Sequence, residues 1–478
     1  MRLFKFFNKY KNNVAIIDNK NLNLSYKEIL IETNKIKNKV KNNSLILIIS
    51  ENSVGSLLAY IFCIIKNHVG IIVDSKTTQK NILKIFKNYQ PNYVFLSKEK
   101  KNMFKKICLE KYYFFDQILM KNKLDKKKKL NKNLSLLLST SGSMGSTKFV
   151  KLSNSNLKYN ADSIISYLKI NKKDSTITNL PISYSYMLSI INTHFEVGAS
   201  IIVSKYSLIE KEFWRIVEKS KITSFNGVPY TYEMLTSVGL KNIKVNTLKY
   251  LTQAGGKLEI SKLKKIIQFC KKNKLKFFSM YGQTEASPRI SYLKPEFLEK
   301  KMGSIGKGIP GNKIYIVDKS GKKIFKPFKE GEVVCNGKNV FMGYSKNYSD
   351  LKKANEENYK LKTGDLGYFD KDGFFYLTSR INRIAKIFGN RIDLGTLEIL
   401  MSQKGYKVVC ISDNKNIFVY IEKKYNKKKV LNSISKITNL NLSSFKLIKL
   451  KSFPRTINNK ISYSKLKKKN NLYEIKLH

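Results

Sequence analysis

The stretch SLILIISENSVGSLLAYIFCIIKNHVGIIVD (44–74) is the part of this sequence that most strongly indicates the fold. Residues 44–50 and 70–74 are short β-branched apolar runs, which are typical of buried strands. Between them, residues 53–66 carry apolar side chains at helical spacing. The polar tripeptide at 66–68 ends this apolar run after about a dozen residues, short of the ~20 that a membrane-spanning helix needs. The stretch therefore predicts a buried strand, a buried helix and a second buried strand.

The same alternation continues along the chain. Further strands are predicted at 92–97, 135–140, 199–204 and 248–253, and further amphipathic helices at 155–168 and 258–273. Strands that alternate with helices of this length are typical of an α/β fold with mainly parallel sheets. We therefore expect a large N-terminal domain of mainly parallel sheets packed with helices.

The residue pattern changes in the last third of the sequence. From about residue 303, short strands and glycine turns predict a small β-rich subdomain over 303–380. Residues 381–478 have strands and helices of their own and are long enough for a small α+β domain. The sequence thus predicts an N-terminal domain over 1–380 and a mobile C-terminal domain over 381–478.

The charge of the chain is extreme, at +57 from 91 Lys and Arg against 34 Asp and Glu. Such an excess suggests a nucleic-acid or membrane-surface protein. Only seven of the basic residues are arginines, however, and base readout and bidentate phosphate binding favour the planar guanidinium over lysine. A lysine-rich nucleic-acid binder remains an alternative, but we expect no specific nucleic-acid partner.

Cysteine and histidine usage excludes several kinds of site. The five cysteines are scattered and include no C-x-x-C pair, which predicts reduced thiols in a cytoplasmic protein. The N-terminal residues contain no apolar run of signal-peptide length. Histidine occurs only at positions 68, 194 and 478, so the sequence has almost no candidate residues for a multi-histidine metal site or a Ser-His-Asp relay.

A loop rich in serine and glycine follows the predicted strand at 135–140. It reads SGSMGSTK (141–148), and its small residues allow backbone N–H groups to approach phosphates while Lys148 supplies positive charge. By itself such a loop is more often an ordinary turn. Its spacing is not that of the G-x-x-x-x-G-K-[ST] loop, because the second glycine lies three residues before the lysine.

Three later motifs supply complementary chemistry. In SMYGQTEAS (279–287) an aromatic ring, a hydroxyl and a carboxylate stand together, and these groups can stack on a purine, reach a phosphate and hold Mg²⁺. Asp365 lies in a predicted tight turn, where its carboxylate can accept from both hydroxyls of a ribose. Near the C-terminus, FPRTINNKIS (453–462) places Lys460 on a loop.

Taken in order, these motifs resemble the adenylate-forming superfamily of acyl-CoA synthetases, nonribosomal-peptide adenylation domains and luciferases. The family's T-S-G-[ST]-T-G-x-P-K-G loop is similar to TSGSMGSTKF (140–149), which departs from it at Met144, Thr147 and Phe149. The Y-G-x-T-E and T-G-D motifs are intact at 281–285 and 363–365. The hinge motif resembles SRINRIAKIFGNRI (379–392), with Ser379 for Gly and Asn382 for the hinge Asp, and the terminal P-x-T-x-x-G-K has Asn459 for Gly.

The resemblance implies a role for each matching residue. It implies that Lys460, Thr284 and Glu285 are catalytic, that Glu285 and Thr140 hold Mg²⁺, and that Asn382 is the hinge. The residues that the resemblance implies for binding ATP and AMP are Thr140, Ser141, Gly142, Ser143, Gly145, Lys148, Ala254, Gly255, Gly256, Tyr281, Gly282, Asp365 and Arg380.

The segment NLPISYSYMLSIINTHFEVGAS (179–200) resembles the family's L-P-x-x-H-x-x-G acyl-pocket segment. It implies pocket positions at Tyr184 and Ser185, with Val228 and Gln253 as further walls. Amino-acid-activating relatives carry an Asp near the position of Ser185, and a buried ammonium without a carboxylate partner is costly. We therefore expect a small or medium organic acid rather than an α-amino acid.

The implied activity has two halves. A carboxylate attacks the α-phosphate of ATP, giving acyl-AMP and pyrophosphate, and this step depends on positioning and electrostatic stabilisation. A thiol then attacks the adenylate, either that of coenzyme A or that of a phosphopantetheine arm on an acyl carrier protein. The departures at Met144, Thr147, Ser379 and Asn459 leave a second alternative, a catalytically weakened relative that serves as an adenylate-binding scaffold.

Overall fold

The computed structural model of the chain describes residues 2–19, 22–124, 129–139, 148–239, 246–354, 357–387, 390–413, 415–456 and 460–467. Up to residue 139 the elements are β1 Val14–Asp18, β2 Asn23–Ser25, α1 Tyr26–Lys37, β3 Leu45–Ser50, α2 Val54–Ile65, β4 Val69–Asp74, α3 Gln79–Tyr89, β5 Tyr93–Ser97, β6 Cys108–Phe114, β7 Gln117–Asn122 and β8 Leu134–Ser139.

From residue 148 to 308 the chain alternates strands with helices. These elements are β9 Phe149–Ser153, α4 Asn154–Leu168, β10 Ser175–Ile177, α5 Ser185–Glu196, β11 Ser200–Val203, α6 Lys211–Lys219, β12 Ser224–Gly227, α7 Pro229–Val238, β13 Tyr250–Gln253, α8 Ile260–Lys272, β14 Lys276–Gly282, β15 Arg289–Leu293 and β16 Lys307–Gly308.

The remaining elements are mostly short strands. They are β17 Lys313–Val317, β18 Lys323–Ile324, β19 Gly331–Asn336, β20 Tyr344–Ser345, β21 Lys360–Phe369, β22 Phe375–Arg380, β23 Ile384–Ile387, β24 Asn390–Asp393, α9 Leu394–Gln403, β25 Val408–Ser412, β26 Ile417–Glu422, α10 Lys427–Thr438 and β27 Phe445–Leu450.

The strand, helix and strand predicted from 44–74 are confirmed as β3, α2 and β4. Both strands are almost wholly buried and pair in parallel, with Leu45 opposite Val69. Helix α2 begins where Ser53 Oγ accepts a hydrogen bond from the Ser56 backbone N–H at 3.3 Å, a typical N-cap. The side chains of β3 and β4 share a core with those of α3, and the buried helix α2 packs against the same two strands.

Two large sheets carry the α/β fold that the sequence predicts. One has the strand order β16-β15-β14-β13-β12-β10-β11-β1-β2, and its centre from β14 to β1 is parallel. The other has the order β20-β9-β8-β4-β3-β5-β7-β6, with parallel pairing from β8 to β5. In parallel sheets the carboxyl ends of neighbouring strands meet at one edge, so β12, β13 and β14 deliver their following loops to the same place.

The described chain divides into two compact units. The first comprises Met1–Ile314 and Cys335–Leu361, and the second comprises Tyr315–Val334 and Lys362–His478. The second unit contains the hairpin β23–β24 and the sheet β25-β26-β27, which pack with α9 and α10 around a core of their own. The domain boundary at 380/381 stays a prediction.

Two further observations bear on the composition. All five cysteines are buried and form no disulfide, and burial raises the pKa of each thiol. Within the described ranges no helix combines the length and the apolar character that crossing a membrane requires.

Candidate functional site

The turn after β14 positions the Tyr-Gly-x-Thr-Glu motif. Strand β14 ends at Gly282, a 3₁₀ turn follows at Thr284–Ala286, and β15 returns antiparallel with Arg289 opposite Gly282. A Cβ atom on Gly282 would lie 1.8 Å from the backbone carbonyl oxygen of Pro288, so only glycine fits this close approach. The glycine of the motif is thus needed to fold the turn that presents its neighbours.

Thr284 and Ser185 bring the predicted catalytic and acyl-pocket residues together. Their hydroxyl oxygens lie 3.1 Å apart, and both residues are buried. Ser185 is the first residue of α5, whereas Thr284 begins the 3₁₀ turn after β14. A group held by the first hydroxyl is therefore a direct neighbour of a group held by the second.

Glu285 is a buried carboxylate with a single side-chain donor among the described residues. Tyr344 Oη donates to Glu285 Oε1 at 2.8 Å, and Lys148 Nζ lies 3.5 Å from the centroid of the Tyr344 ring. No cationic side chain in the described ranges lies within ion-pair distance of Glu285. Burial and the neighbouring Glu285 charge raise the pKa of Tyr344, which keeps it a neutral donor.

These contacts fit a magnesium ion that is held mainly by a nucleotide. Mg²⁺ is commonly bound by one or two carboxylates together with substrate phosphates, rather than by a cage of protein ligands. Glu285 keeps one oxygen free of the Tyr344 contact, and no cluster of three or more acidic, His or Cys side chains occurs among the described residues. The protein thus offers the single carboxylate that such a site needs.

The loops after β12 and β13 contain further predicted pocket and nucleotide positions. Ala254 N donates to Gly227 O at 3.1 Å, which joins the ends of the two strands, and Gln253 Nε2 donates to Gly256 O at 2.7 Å within the turn after β13. Gly255 has φ +85°, a left-handed conformation that favours glycine. Among the predicted pocket and nucleotide positions, the buried ones are Tyr184 before α5, Tyr281 in β14, and Val228, Gln253 and Ala254 at the ends of β12 and β13.

The second unit holds the remaining predicted residues. Asp365 and Arg380 lie opposite each other on β21 and β22, and the Arg380 guanidinium donates to both carboxylate oxygens of Asp365. Asp365 is almost fully buried, whereas about half of the Arg380 side chain is exposed. The pairing fixes the carboxylate that is expected to meet a ribose.

The charges of Asp365 and Arg380 also act on Lys460. Burial lowers the pKa of Lys460, the Arg380 charge adds to that lowering and the Asp365 charge partly offsets it, with a net value of about 8. Its backbone is held in a tight turn, in which Thr456 N donates to Lys460 O at 2.7 Å and Lys460 N donates to Thr456 Oγ1 at 3.2 Å. A lysine with such a pKa is still mainly protonated at neutral pH.

The predicted hinge residue Asn382 is exposed and lies in the 3₁₀ turn Ile381–Arg383 between β22 and β23. The next residue, Arg383, is anchored in the second unit. Its Nη2 lies 2.8 Å from Glu398 Oε1, and its guanidinium lies 4.1 Å from the centroid of the Tyr463 ring. The predicted hinge residue is thus followed at once by a residue whose side chain is held by contacts within the second unit.

Some predicted positions lie outside the described residues. They are the members of the predicted phosphate loop before Lys148, namely Thr140, Ser141, Gly142, Ser143 and Gly145, together with Met144, Thr147 and Asn459. The assignments for these positions stay predictions.

Sequence reasoning missed Tyr344, which contacts a predicted site residue, and the burial of Arg289, which follows the motif in the chain. Tyr344 is 59 positions from the carboxylate to which it donates, and its local pattern gave no signal. Arg289 follows the Tyr-Gly-x-Thr-Glu motif by four residues and is 2% exposed. Its signal was the scarcity of arginine in a chain that uses lysine almost everywhere else.

Comparison with known proteins supports the assignment from the motifs. The family model described as AMP-binding enzyme matches residues 3–345. A 2-succinylbenzoate–CoA ligase from Bacillus licheniformis is 28% identical over 266 residues, covering 55% of this chain and 53% of the relative. An oxalate–CoA ligase from Arabidopsis thaliana is 28% identical over 265 residues, covering 54% and 50%. The chain thus spans about half the length of these curated relatives.

Solved structures show the same fold. O-succinylbenzoate Coenzyme A Synthetase from Bacillus subtilis, in complex with ATP and magnesium ion, has a TM-score of 0.78 at 20% identity and covers 98% of this chain and 99% of its own. ATP-bound MatB from Rhodopseudomonas palustris has a TM-score of 0.79 at 17% identity, with coverage of 98% and 99%. With its motifs, its fold and the family match over most of its length, the chain belongs to the family of AMP-binding enzymes.

Proposed function

We propose that the protein is an AMP-forming acid–thiol ligase, which activates a small carboxylic acid with ATP and transfers the acyl group to a thiol. The observation that carries this proposal is the 3.1 Å contact between Ser185 and Thr284. It supports the proposal because Ser185 is a predicted acyl-pocket position and Thr284 carries the hydroxyl that is expected to contact the α-phosphate. A carboxylate in that pocket is then positioned for attack on phosphorus, and positioning is the main requirement of such a reaction.

In the first half-reaction a carboxylate oxygen of the acid forms a bond to the α-phosphorus. The bond between that phosphorus and the bridging oxygen of pyrophosphate breaks, and pyrophosphate leaves with the electron pair. No general base is needed, because the carboxylate is already ionised at neutral pH. Lys460 would donate to the carboxylate and phosphate oxygens, and its positive charge would stabilise the negative charge that builds up between them.

The other residues bind and orient. Tyr281 would stack on the adenine ring, and Asp365, held by Arg380, would accept from the ribose hydroxyls. Glu285 would hold Mg²⁺, which offsets phosphate charge when it is bound. In the second half-reaction the sulfur of a thiol forms a bond to the acyl carbon and gives up its proton to solvent, and AMP leaves with the electron pair of the broken acyl carbon–oxygen bond. The names of the relatives, which are CoA ligases, support coenzyme A as the acceptor over a carrier-protein phosphopantetheine.

The test is pyrophosphate release with ATP, Mg²⁺ and a panel of small carboxylic acids, in which hydroxylamine traps the acyl-adenylate. We expect acid-dependent release that falls by about 100-fold or more in Lys460→Ala, because a transition-state charge contact is lost. Lys465→Ala removes an exposed lysine from the same terminal segment and is the matched control, which should behave as wild type.

Two outcomes would contradict the proposal. Equal release by wild type and Lys460→Ala would refute the role of Lys460. The absence of acid-dependent release across the panel, with thermal stabilisation by ATP and Mg²⁺ still present, would favour the adenylate-binding scaffold instead.

A further inference from the structure

Tyr344 contacts two residues that are expected to act on different parts of the nucleotide. Its hydroxyl donates to Glu285 Oε1 at 2.8 Å, and Lys148 Nζ lies 3.5 Å from the centroid of its ring. Glu285 is the predicted ligand of Mg²⁺, and Lys148 is the lysine of the predicted phosphate loop. One side chain thus joins the predicted metal ligand to the predicted phosphate-binding lysine.

The segment that carries Tyr344 is fixed to the turn that carries Glu285. The Phe341 backbone N–H donates to Glu285 O at 2.9 Å. Two residues earlier, Asn339 Nδ2 donates to Ala286 O at 2.7 Å. The position of Tyr344 beside the carboxylate therefore does not depend on the hydroxyl contact alone, because main-chain groups of the two segments are bonded as well.

The same segment is fixed to the strand that follows Lys148. Strand β20 pairs antiparallel with β9, and Tyr344 lies opposite Val150. Met342 N donates to Lys151 O at 2.9 Å. Because β9 begins one residue after Lys148, this pairing sets where the chain leaves the lysine relative to the tyrosine ring.

The two contacts use different parts of the tyrosine. The hydroxyl engages one oxygen of Glu285, and a hydrogen bond to a metal-binding side chain restricts its orientation and tunes its affinity for the metal. The ring face attracts the Lys148 ammonium, which lies well within the about 6 Å over which such an attraction is significant. A carboxylate for a cation and an ammonium for an anion are thus held at neighbouring points.

We propose that Tyr344 is a positioning residue, which sets Glu285 for the Mg²⁺ ion and Lys148 for the phosphates of the same nucleotide. This inference rests on the proposed function and adds a residue that lies outside the predicted motifs. Substitution can separate its two effects. Tyr344→Phe removes the hydroxyl and keeps a ring face for the lysine, whereas Tyr344→Leu removes both.

The first measurement is the thermal midpoint at saturating ATP as free Mg²⁺ is varied, with no acid present and therefore no turnover. We expect Tyr344→Phe to need at least about tenfold more Mg²⁺ for half of the full stabilisation, because loss of a group that orients a metal ligand typically weakens metal binding by 10- to 100-fold.

Tyr348→Phe is the matched control for this measurement. The Tyr348 hydroxyl also has a hydrogen bond, which it accepts from Lys129 N at 2.8 Å, and Lys352 Nζ lies 5.3 Å from the centroid of its ring. Tyr348 lies four residues after Tyr344 and contacts no predicted residue of the site in these bonds. The control variant should therefore need the same Mg²⁺ concentration as wild type.

The second measurement is the Kd of ATP at saturating Mg²⁺, by titration calorimetry. Tyr344→Leu should bind ATP at least about threefold more weakly than Tyr344→Phe, because it lacks the ring face that holds the lysine. In a Lys148→Ala background the Phe and Leu variants should bind ATP equally, since the partner of the ring is then absent. Equal or tighter binding by Tyr344→Leu in the presence of Lys148 would overturn the role of the ring.

Other outcomes would overturn the role of the hydroxyl. One is a Mg²⁺ dependence in Tyr344→Phe equal to that of wild type. Another is a midpoint lowered equally at every Mg²⁺ concentration, or a variant that fails to fold, since either result indicates a structural role. A wild type that shows no acid-dependent pyrophosphate release, while Tyr344→Phe still shifts the Mg²⁺ dependence, would contradict the proposed function and support the role of Tyr344 in nucleotide binding.

Discussion

Lys460 is the residue whose chemistry should depend most visibly on pH. Its pKa is lowered to about 8, with burial as the largest cause, from an ordinary value near 10.4. The role proposed for Lys460 requires the protonated, positively charged form. As pH rises through about 8 this form is lost, so kcat/KM for acid-dependent pyrophosphate release should fall on the alkaline side.

The control for this prediction is Lys460→Arg. Arginine keeps its proton across the accessible pH range, so the variant should lose the alkaline decline even if its maximal rate is lower. A wild-type rate that stays flat from pH 7 to 10 would contradict the link, as would an identical decline in Lys460→Arg.

Some side chains of the candidate site could be predicted from the sequence, and others could not. Thr284, Glu285 and Asp365 could be predicted because they lie in short motifs whose residue types suit nucleotide chemistry. The contact from Tyr344 to Glu285 could not, since it joins positions 59 apart and depends on how two distant segments pack. The burial of Arg289 likewise follows from tertiary packing and not from its neighbours in the chain.

Among the elements, the approach of β14 to β15 sets a strict limit on substitution. A Cβ atom at Gly282 would meet the Pro288 carbonyl oxygen at 1.8 Å, and the backbone cannot move aside as a flexible side chain would. Gly282→Ala should therefore destabilise the first unit by about 1–3 kcal/mol, as overpacking typically does. Thermal denaturation should show this as a midpoint at least about 2 °C lower.

Gly70→Ala is the matched strand control. A Cβ atom at Gly70 on β4 would meet Leu136 Cδ1 at 3.6 Å, which is an ordinary van der Waals contact. This variant should melt within about 1 °C of wild type, since it creates no clash. Similar midpoints for the two alanine variants would show that the β14–β15 turn can relax, contrary to the steric argument.

The helices and strands themselves were largely predictable. Periodicity predicted β3, α2 and β4 within one or two residues of their observed ends, because buried faces repeat locally along the chain. The pairing of Asp365 with Arg380 was not predictable in this way. It depends on the register of β21 against β22, which includes an irregularity between Leu366 and Gly367.

For the molecule as a whole, the net charge of +57 should make stability depend on salt. Like charges repel in the folded state, and salt shortens the range of that repulsion from about 30 Å at 0.01 M to about 10 Å at 0.1 M. We expect the thermal midpoint to rise between 0.01 and 0.3 M NaCl. The same increase in salt should abolish any binding to duplex DNA, because an unspecific polycation binds phosphates through counterion release.

A thermal midpoint that falls or stays constant over this range would contradict the prediction of self-repulsion. Affinity for one DNA sequence that survives 0.3 M NaCl would instead support the nucleic-acid alternative. The two measurements together separate a charge that only keeps the surface hydrated from one that recognises a partner.

The arrangement of α5 has a consequence for protein engineering. Its first turn carries Ser185, which contacts Thr284, and its next turn carries Ser189, which contacts Arg289. Libraries aimed at new acids should therefore retain Ser185, because a change there would disturb the contact with Thr284 and so alter the rate for every acid at once.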